Sequence, residues 1–524
     1  MRVKYSWALA LLLSGCQLTQ SDNQQQDPEP TNQPTPDHVV SSETTAEPVI
    51  ESKTQIQAPV VTPQDQQDVW QRIAMQLELT VPDHKKVDYY RTWYLKHPNH
   101  LRTVSKRAEP FLYLITEKIE QRDLPLELAL LPVVESSFDA FAYSHGSAAG
   151  LWQFIPGTAE WFGLKQDFWY DGRRDVDAST DAALDYLTYL NKRFEGNWNH
   201  AIAAYNSGGG RVSNAIKRNK KQGKPTDFFS LELPKETSSY VPKLLALADI
   251  VANQEKYGLE IPAIANEPVL QLVNPNEQLD LAIAAKYADI TVKELQGLNP
   301  AYNQWATAPD GPHQLLLPIE SIERFNQQVE ENRGKGMKLV RYKVQSGDSL
   351  SVLANKYSTT SKVIRSANNM TNNNIRIGQY LMIPTSTSND NVYALSASNR
   401  LTATQSKSRG QYKLTHTVEP GDNLWTIARK NKVSHQSLAK WNGMGPRDTL
   451  RVGQELVIWK NGSDGAIIRT VFYNVRSGDT ISGIASKFKV KSADVVKWNS
   501  LKNKKYLQPG QKLKLYVDVT KVSV

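Results

Sequence analysis

Apolar residues recur every three to four positions between residues 68 and 120, the spacing that places them on one face of an α-helix. Charged and polar residues separate the apolar ones along the same stretch, as expected for helices with one buried face. We predict a helical core here, formed by Val69, Ile73, Leu77, Phe111, Leu114, Ile115 and Ile119.

A mainly apolar segment follows at residues 124–134 and ends at a carboxyl group, Glu135. Asp123 and Pro125 predict a helix start, with Asp as the cap and Pro in the first turn. Glu135 is then expected near the end of that helix, at the edge of a cleft. Apolar surroundings raise the pKa of a carboxyl group and keep it protonated near neutral pH, so Glu135 is a candidate general acid.

Glu127 is the competing carboxyl group on the same predicted helix. It falls in the first turn, where a carboxylate normally faces solvent and interacts favourably with the helix dipole. We therefore interpret Glu127 as a solvated residue and not as the acid.

The last third of the chain contains one pattern three times. Each copy has an apolar strand, a Gly-Asp turn, an Asn 20 residues after that Asp, and a closing Gly-Gln followed by a second strand. The repeated residues are Gly347, Asp348, Asn368, Gly421, Asp422, Asn442, Gly478, Asp479 and Asn499. Helical spacing at 350–357, 424–431 and 481–488 predicts that each copy is a βααβ unit.

These units resemble the LysM module, which binds the N-acetylglucosamine units of peptidoglycan and chitin. The resemblance implies modules at 341–385, 414–459 and 472–517, and it makes the repeated Gly, Asp and Asn residues candidates for glycan binding. The polar segments between the modules, 385–410 and 460–468, are predicted to be flexible linkers. Linked copies with weak single sites would bind together by avidity.

A degenerate copy of the pattern spans 270–320. It keeps the helical spacing and an Asn at position 299, but it lacks the Gly-Asp turn. We predict the same LysM-like fold for it, and the pattern leaves open whether it binds sugar or only serves as a structural spacer.

The chain has 524 residues, 40% of them hydrophobic and 22% charged, which is typical of a soluble protein with several domains. After residue 16 no apolar stretch is long enough to span a bilayer. The single cysteine argues against structural disulfides, and nine scattered histidines without an HExxH motif argue against a zinc site. His97 and His100 are interpreted as a surface pair, so neither a metal nor a cofactor is expected.

The N-terminus carries two basic residues, a short apolar run and then the sequence Leu-Ser-Gly-Cys ending at Cys16, which resembles the bacterial lipobox. The resemblance implies a lipoprotein signal peptide at 1–15 and lipidation of Cys16. Gln17 favours the outer membrane, with the mature protein facing the periplasm. Residues 16–65 are rich in Gln, Pro, Thr, Asp and Glu, and we predict a disordered tether.

The formal net charge is +9 at pH 7. Export argues against nucleic acid as a partner, so none is predicted. A mild basic excess suits murein instead, because the stem peptides of murein carry carboxylates.

Three short sequences follow one another in the order and spacing of one enzyme family: Glu-Ser at 135–136, Gly-Leu-Trp-Gln at 150–153 and Ala-Tyr-Asn at 204–206. Together with Ser144 they resemble the soluble lytic transglycosylase domain, which is related to goose-type lysozyme. The resemblance implies a mainly α, lysozyme-like catalytic domain at 66–260. The expected fold class is multidomain α+β, with small βααβ LysM modules after the catalytic domain on flexible linkers.

Glycosidases usually use two carboxylates, but this motif offers one. The resemblance implies that the substrate supplies the attacking group. Glu135 would protonate the β-1,4 bond between N-acetylmuramic acid and N-acetylglucosamine, then remove the C6 hydroxyl proton and leave a 1,6-anhydromuramoyl end. By motif match, the substrate-binding residues are Ser144, Gln153, Tyr205, Asn206 and Tyr240.

Other acidic residues near the motif, namely Asp139, Asp171, Asp175 and Asp177, are interpreted as helix caps or loop residues. Trp152 stands where Met is usual in the family, and a sugar-stacking role and a packing role both remain open.

Other functions stay open alongside this interpretation. A lysozyme-type muramidase would use water in place of the C6 hydroxyl, and a non-catalytic peptidoglycan-binding lipoprotein would use only the repeats. A murein peptidase or amidase would need a second thiol or clustered metal ligands, which the sequence does not offer. The expected partners are peptidoglycan glycan strands and a membrane reached through lipidated Cys16, while cell-wall enzyme partners stay unknown.

Overall fold

The computed structural model describes residues 61–144, 146–461, 468–501 and 507–518. The predicted signal peptide, Cys16, nearly all of the predicted tether and most of the second predicted linker lie outside these residues. The last tether positions, Pro63–Asp65, form a short 3₁₀ helix, so ordered structure begins earlier than predicted. Over the described part of the chain, none of the helices has the length and apolarity needed to cross a membrane.

The N-terminal domain is helical, as the apolar spacing predicts. Its helices are α1 (Val69–Ala74), α2 (Lys85–Lys96), α3 (Pro98–Ala108), α4 (Leu112–Glu120), α5 (Leu131–Ser136), α6 (Pro156–Trp161), α7 (Val176–Arg193), α8 (Trp198–Ser207), α9 (Gly209–Lys221), α10 (Thr237–Ala252) and α11 (Gln254–Tyr257). Helix α10 carries the mainly apolar sequence of a central core helix, and it packs against α1, α2, α5 and α8.

Most of the predicted core positions are confirmed. Val69, Ile73, Phe111, Ile115 and Ile119 are at most 4% exposed. The remaining two predicted positions are partly buried and pack against the same core.

The segment before α5 differs from the predicted single helix. Asp123 does not cap a helix, because it adopts a left-handed conformation (φ 50°) in the turn after α4. A 3₁₀ helix at Leu126–Leu130 comes first and α5 follows. Pro132 has no N–H to donate to the carbonyl of Leu128, so a continuous α-helix is interrupted here. Glu135 nevertheless falls at a helix end, as predicted.

Four small modules follow the helical domain, and each has two antiparallel strands around two helices. The spacer module contains β1 (Leu270–Val273), α12 (Leu281–Ala288), α13 (Val292–Leu298), β2 (Leu315–Pro318) and the added α14 (Ile322–Glu331). Repeat 1 contains β3 (Lys338–Lys343), α15 (Leu350–Lys356), α16 (Ser361–Ala367) and β4 (Tyr380–Thr385), and is followed by α17 (Ala397–Ser406). Repeat 2 contains β5 (Tyr412–Thr417), α18 (Leu424–Lys430), α19 (His435–Trp441) and β6 (Glu455–Lys460). Repeat 3 contains β7 (Ile468–Asn474), α20 (Ile481–Lys487), α21 (Ser492–Trp498) and β8 (Lys512–Asp518).

The predicted fold class, a mainly α domain followed by small βααβ modules, is confirmed by this arrangement. The first helices of the repeats begin at the predicted residues and end one residue earlier than predicted. In each repeat the opening strand pairs with the closing strand along its whole length.

The segment after repeat 1 is not the flexible linker that its composition predicts. Tyr393 is 2% exposed and donates a hydrogen bond of 2.7 Å to Asp280 of the spacer module. The backbone N–H and hydroxyl of Thr387 also donate to Asp280, which is fully buried. A buried carboxylate requires such partners, so the polar side chains of this segment order it against the spacer module.

Candidate active site

A cleft of about 650 Å³ opens at the end of α5. Glu135 lies in it, half-buried, one residue before the helix ends. Four of the predicted substrate-binding residues also line the cleft; they are Ser144, Gln153, Tyr205 and Asn206. The fifth, Tyr240, is buried and contacts Glu135 directly. The structure therefore brings together every site residue that the sequence predicts for the catalytic domain.

The end of α5 is defined by its backbone and by one hydroxyl group. Ser137 and Phe138 both adopt the left-handed conformation, with φ values of 53° and 58°, and this ends the helix. The Ser136 hydroxyl lies 3.0 Å from the carbonyl oxygens of both Pro132 and Leu151. The helix end is thus tied to the loop that supplies the opposite wall of the cleft.

Burial raises the pKa of Glu135 to about 7, because the surrounding protein replaces the water that would solvate its charge. The hydrogen bond from Tyr240 and the positive charge of Lys243 lower the pKa, and the negative charge of Glu236 raises it. The Tyr240 hydroxyl donates to Oε1 of Glu135 at 2.5 Å. Near neutral pH the carboxyl group can therefore both donate and accept a proton.

Helix α8 supplies Tyr205 and Asn206 from its last turn, while its alanine-rich face packs in the core. The Tyr205 hydroxyl donates to the backbone carbonyl of Trp152 at 2.8 Å. The side-chain oxygen of Asn206 accepts a hydrogen bond of 2.9 Å from the Thr237 hydroxyl. Its amide nitrogen has no partner among the described residues, so it remains available to a substrate.

The loop opposite α5 holds Ser144 by backbone contacts. Its hydroxyl oxygen accepts hydrogen bonds from the N–H groups of Gly146 (3.2 Å) and Ala148 (3.1 Å), so its own proton can still be donated. Gly150 has a φ of 81°, and a Cβ at this position would lie 1.9 Å from the carbonyl oxygen of Arg173. Only glycine fits there, which explains the Gly of the Gly-Leu-Trp-Gln sequence.

Trp152 has a packing role. Its side chain is fully buried, and its indole nitrogen donates to the Thr180 hydroxyl at 3.0 Å. A sugar ring cannot stack on it. The neighbouring Gln153 is turned towards the cleft by a left-handed backbone conformation, with a φ of 50°.

The sequence analysis missed two residues of this site. Glu236 is exposed at the cleft and raises the pKa of Glu135, and Thr237 is buried and orients Asn206. Both belong to the Glu-Thr-x-x-Tyr sequence that ends at Tyr240. Because Tyr240 is a predicted site residue, its neighbours in this sequence could have been predicted as site residues too.

Glu127 is not solvated, so this prediction is wrong. Its side chain is fully buried, and one carboxylate oxygen accepts hydrogen bonds from the backbone N–H groups of Glu78 (2.8 Å) and Leu79 (2.6 Å). The chain between α1 and α2 therefore covers it. Burial raises the pKa of Glu127, although those N–H groups oppose the shift, and its side chain does not line the cleft.

Asp139, Asp171 and Asp175 cap a helix or lie in a loop, as predicted, whereas Asp177 lies in the first turn of α7. Asp171 forms ion pairs with two arginines that follow it, and Asp175 caps α7 through the N–H of Ala178. Asp177 pairs with Lys118 at 2.7 Å. Asp139 accepts a hydrogen bond from a backbone N–H in its own turn.

The repeated Asp and Asn residues are used inside their own modules. Each Asp accepts a hydrogen bond from the N–H three residues before it, which closes the turn at Asp348, Asp422 and Asp479. The glycines before them have φ values of 87° to 88°. Each Asn side chain bonds the second helix to the closing strand; these residues are Asn368, Asn442 and Asn499. Asn299 makes the same contacts in the spacer module.

Repeat 2 contacts the loop that carries Ser144. Asp448 accepts hydrogen bonds from the Tyr143 hydroxyl (2.9 Å) and from the Ser147 hydroxyl. The guanidinium group of Arg400, on α17, lies 4.8 Å from the ring centroid of Phe141. Repeat 2 and the preceding helix α17 are therefore both in contact with the loop at the rim of the cleft.

No group of three or more His, Cys, Asp and Glu side chains that could hold a metal ion occurs among the residues that the structure describes. His97 stacks on Trp93 at 4.4 Å, and His100 is half-buried against the same ring. The predicted surface pair is therefore only partly exposed.

Comparisons with known families match most of the chain in segments. Residues 113–228 match the transglycosylase SLT domain. Three LysM domains match residues 342–384, 416–459 and 473–515. Residues 269–333 match the LysM-like domain of lytic transglycosylase MltD.

Two curated relatives and one solved structure illustrate the similarity. Membrane-bound lytic murein transglycosylase D of Escherichia coli K12 is 35% identical over 453 residues, which cover 86% of each chain. A putative tributyltin chloride resistance protein of Alteromonas is 45% identical over 169 residues, 32% of this chain and 80% of that one. The 70 kDa soluble lytic transglycosylase of Escherichia coli is 19% identical, with a TM-score of 0.25 over 36% of this chain and 33% of that chain.

Proposed function

Because this chain belongs to the membrane-bound lytic murein transglycosylase D family, we infer that Glu135 serves as the acid and the base of its lytic reaction. The enzyme is a lytic murein transglycosylase, and its LysM repeats bind peptidoglycan. The observation that carries the assignment of Glu135 is its position in the cleft with a pKa of about 7.

In the first step, protonated Glu135 donates its proton to the oxygen that links N-acetylmuramic acid to N-acetylglucosamine. The bond between that oxygen and the anomeric carbon breaks, and N-acetylglucosamine leaves as the alcohol. Positive charge develops at the anomeric carbon, and the acetamido oxygen of the same sugar stabilises it. The hydroxyl of Ser144 and the amide nitrogen of Asn206 have free donors with which to hold that acetamido group.

In the second step, the ionised Glu135 removes the proton from the C6 hydroxyl of the muramic acid. The C6 oxygen then bonds to the anomeric carbon, which gives the 1,6-anhydro end and returns the proton to Glu135. No water is consumed. Tyr240 donates to the carboxylate and stabilises its charged form between the two steps.

The repeats hold the enzyme on its polymeric substrate. The repeated Asp and Asn side chains already bond within each module, so we propose that they shape the sugar-binding surface through the backbone around them. Three linked modules then provide avidity for the glycan strand.

We propose that Cys16 is lipidated after removal of residues 1–15 and that it anchors the enzyme to the outer membrane, facing the periplasm. The lipobox-like sequence before Cys16 supports this proposal, and so does the name of the membrane-bound relative. Cys16→Ala should then move the protein from the membrane fraction to the soluble fraction of the cell.

Digestion of purified murein sacculi, followed by mass analysis of the released fragments, tests the reaction. We expect anhydromuramoyl ends, which are lighter by one water than the reducing ends that a muramidase would leave. Reducing ends would contradict the lytic step and establish a hydrolase. Intact sacculi that still bind the protein would instead support a binding protein without activity.

A further inference from the structure

A second cavity, of about 360 Å³, lies beside α5 and shares no lining residue with the cleft of Glu135. Helices α2, α3 and α10 surround it. We call it the aromatic groove and define it by Tyr89, Tyr90, Trp93, Tyr94, His100 and Lys243. Helix α2 precedes the segment that matches the transglycosylase domain, and Lys243 follows it, so the family match assigns no role to the groove.

Three aromatic side chains of α2 form one side of the groove. Tyr89 is 64% exposed, and its ring meets that of Tyr90 edge to face at 5.0 Å. Trp93 is half-buried. The exposed ring of Tyr89 suits the apolar face of a pyranose ring, and an exposed tyrosine has no stabilising role in the core.

Several polar groups of the groove have no hydrogen-bond partner among the residues that the structure describes. The Tyr94 side chain is 4% exposed, yet within the described part of the chain its hydroxyl makes no hydrogen bond. Ser137 and His100 also line the groove. The Ser137 hydroxyl and the His100 ring nitrogens likewise make no hydrogen bond with any described residue. These groups border the open groove, so they can form hydrogen bonds with a ligand that carries hydroxyl or amide groups.

Lys243 adds a positive charge to the groove. Its ammonium group lies 5.4 Å from the ring centroid of Tyr90 and forms no ion pair with any residue that the structure describes. It also lies close enough to Glu135 to lower the pKa of that carboxyl group. A ligand with a carboxylate would therefore be favoured, and it would bind near the catalytic helix.

We propose that the aromatic groove is a second saccharide site of the catalytic domain, which binds an N-acetylated amino sugar bearing a carboxylate. N-acetylmuramic acid with its stem peptide carries both an N-acetyl group and carboxylates. The choice of this sugar rests on the proposed function, in which murein is the substrate. Adjacent lining residues of α5, Val133 and Val134, place the groove next to the helix that carries the acid. A strand held here would stay on the enzyme between cleavage events.

Hydrogen exchange of the full-length wild-type protein, read by mass spectrometry, tests the proposal. The probe is the soluble murein fragment N-acetylglucosaminyl-N-acetylmuramoyl-tetrapeptide. This fragment does not contain the bond that the enzyme cleaves, so binding is measured even if the proposed reaction is wrong. We expect slower exchange in peptides that cover α2 and α3, with the peptides of the three repeats as an internal reference.

Two variants localise the site. Tyr94→Phe removes only the unpaired hydroxyl, and Tyr89→Ala removes an exposed ring, so neither should disturb the fold. Each should weaken the protection of α2 about fivefold, the loss expected for one hydrogen bond or one stacking contact. Tyr113→Phe is the matched control, because that hydroxyl also lacks a hydrogen bond within the described residues but lies outside the groove.

The charge requirement is tested with N,N′-diacetylchitobiose, which has no carboxylate. We expect it to protect α2 about fivefold more weakly than the murein fragment does. Equal protection by the two ligands would overturn the carboxylate part of the proposal. If α2 and α3 show no protection at about 10 mM fragment, or if both groove variants behave as the wild type, the site itself is refuted.

Discussion

Two carboxyl groups, Glu127 and Glu135, lie on consecutive helices of one apolar segment and are buried to different extents. Glu127 is fully buried and accepts hydrogen bonds from two backbone N–H groups, Glu78 and Leu79. Glu135 is half-buried, borders a cleft and accepts a hydrogen bond from Tyr240.

Burial raises the pKa of both groups. A raised pKa therefore does not identify the acid in this chain. The difference is access, because a substrate can reach Glu135, whereas Glu127 lies beneath the segment between α1 and α2 and is bonded to it. The comparison indicates that one carboxyl group performs chemistry and the other stabilises the fold.

The largest expected effect separates the two groups by activity. Glu135→Gln should lower the rate of sacculus digestion by about 10³-fold or more, because neither proton transfer can then occur. Glu127→Gln is the matched control, since the amide oxygen can still accept the two N–H groups, and its rate should stay near that of the wild type. Release of anhydromuropeptides measures both. Full activity in Glu135→Gln would reject the assignment of the acid.

The second effect separates the groups by stability. Glu127→Leu should lower the free energy of unfolding by about 2–4 kcal/mol, because the N–H groups of Glu78 and Leu79 lose the acceptor that the buried Glu127 side chain provides. Denaturant unfolding measures this loss. An unchanged midpoint would mean that Glu127 does not stabilise the fold.

Glu135→Gln should act in the opposite direction on stability above neutral pH. The pKa of Glu135 is about 7 in the folded protein and near 4.5 when the group is solvated, so the folded state binds the extra proton between these values. Stability is therefore lost as the pH rises from 4.5 to 7, and removal of the group restores it. At pH 8 this variant should unfold at a higher denaturant concentration than the wild type does.

The third effect concerns the hydrogen bond from Tyr240. Its hydroxyl stabilises the charged form of Glu135 and so lowers the pKa, which means that Tyr240→Phe should raise it. The first step needs the protonated acid, so the wild-type kcat/KM should fall above about pH 7. In the variant this decline should move to higher pH. Tyr186→Phe is the control, because Tyr186 lines the cleft without a hydrogen bond to Glu135.

The smallest effect concerns the loop opposite Glu135. Asp448→Ala removes the acceptor that repeat 2 offers to Tyr143 and Ser147, so the loop that carries Ser144 should become less ordered. We expect the rate of sacculus digestion to fall a fewfold, about the effect of one or two exposed hydrogen bonds. Asp310→Ala, which removes an exposed ion pair with Lys362, is the control. Equal rates in the two variants would show that this contact does not serve catalysis.

Local patterns in the sequence determined the elements of the chain. Apolar spacing predicts the helical core, and the repeated Gly-Asp, Asn and Gly-Gln positions predict the βααβ modules, because these interactions join residues close in the chain. The short motifs around Glu135 also predict the residues that meet in the cleft. These motifs occur together in one enzyme family, so recognising one of them predicts the roles of the residues in the others.

Only the tertiary structure decided how the polar side chains and Trp152 are buried and which residues cover them. Glu127 is covered by a segment nearly fifty positions earlier, and Asp280 is bonded by Thr387 and Tyr393 from a stretch whose composition predicts a linker. Trp152 is buried by packing. These three cases depend on contacts between residues far apart in the chain, and no local pattern encodes those contacts.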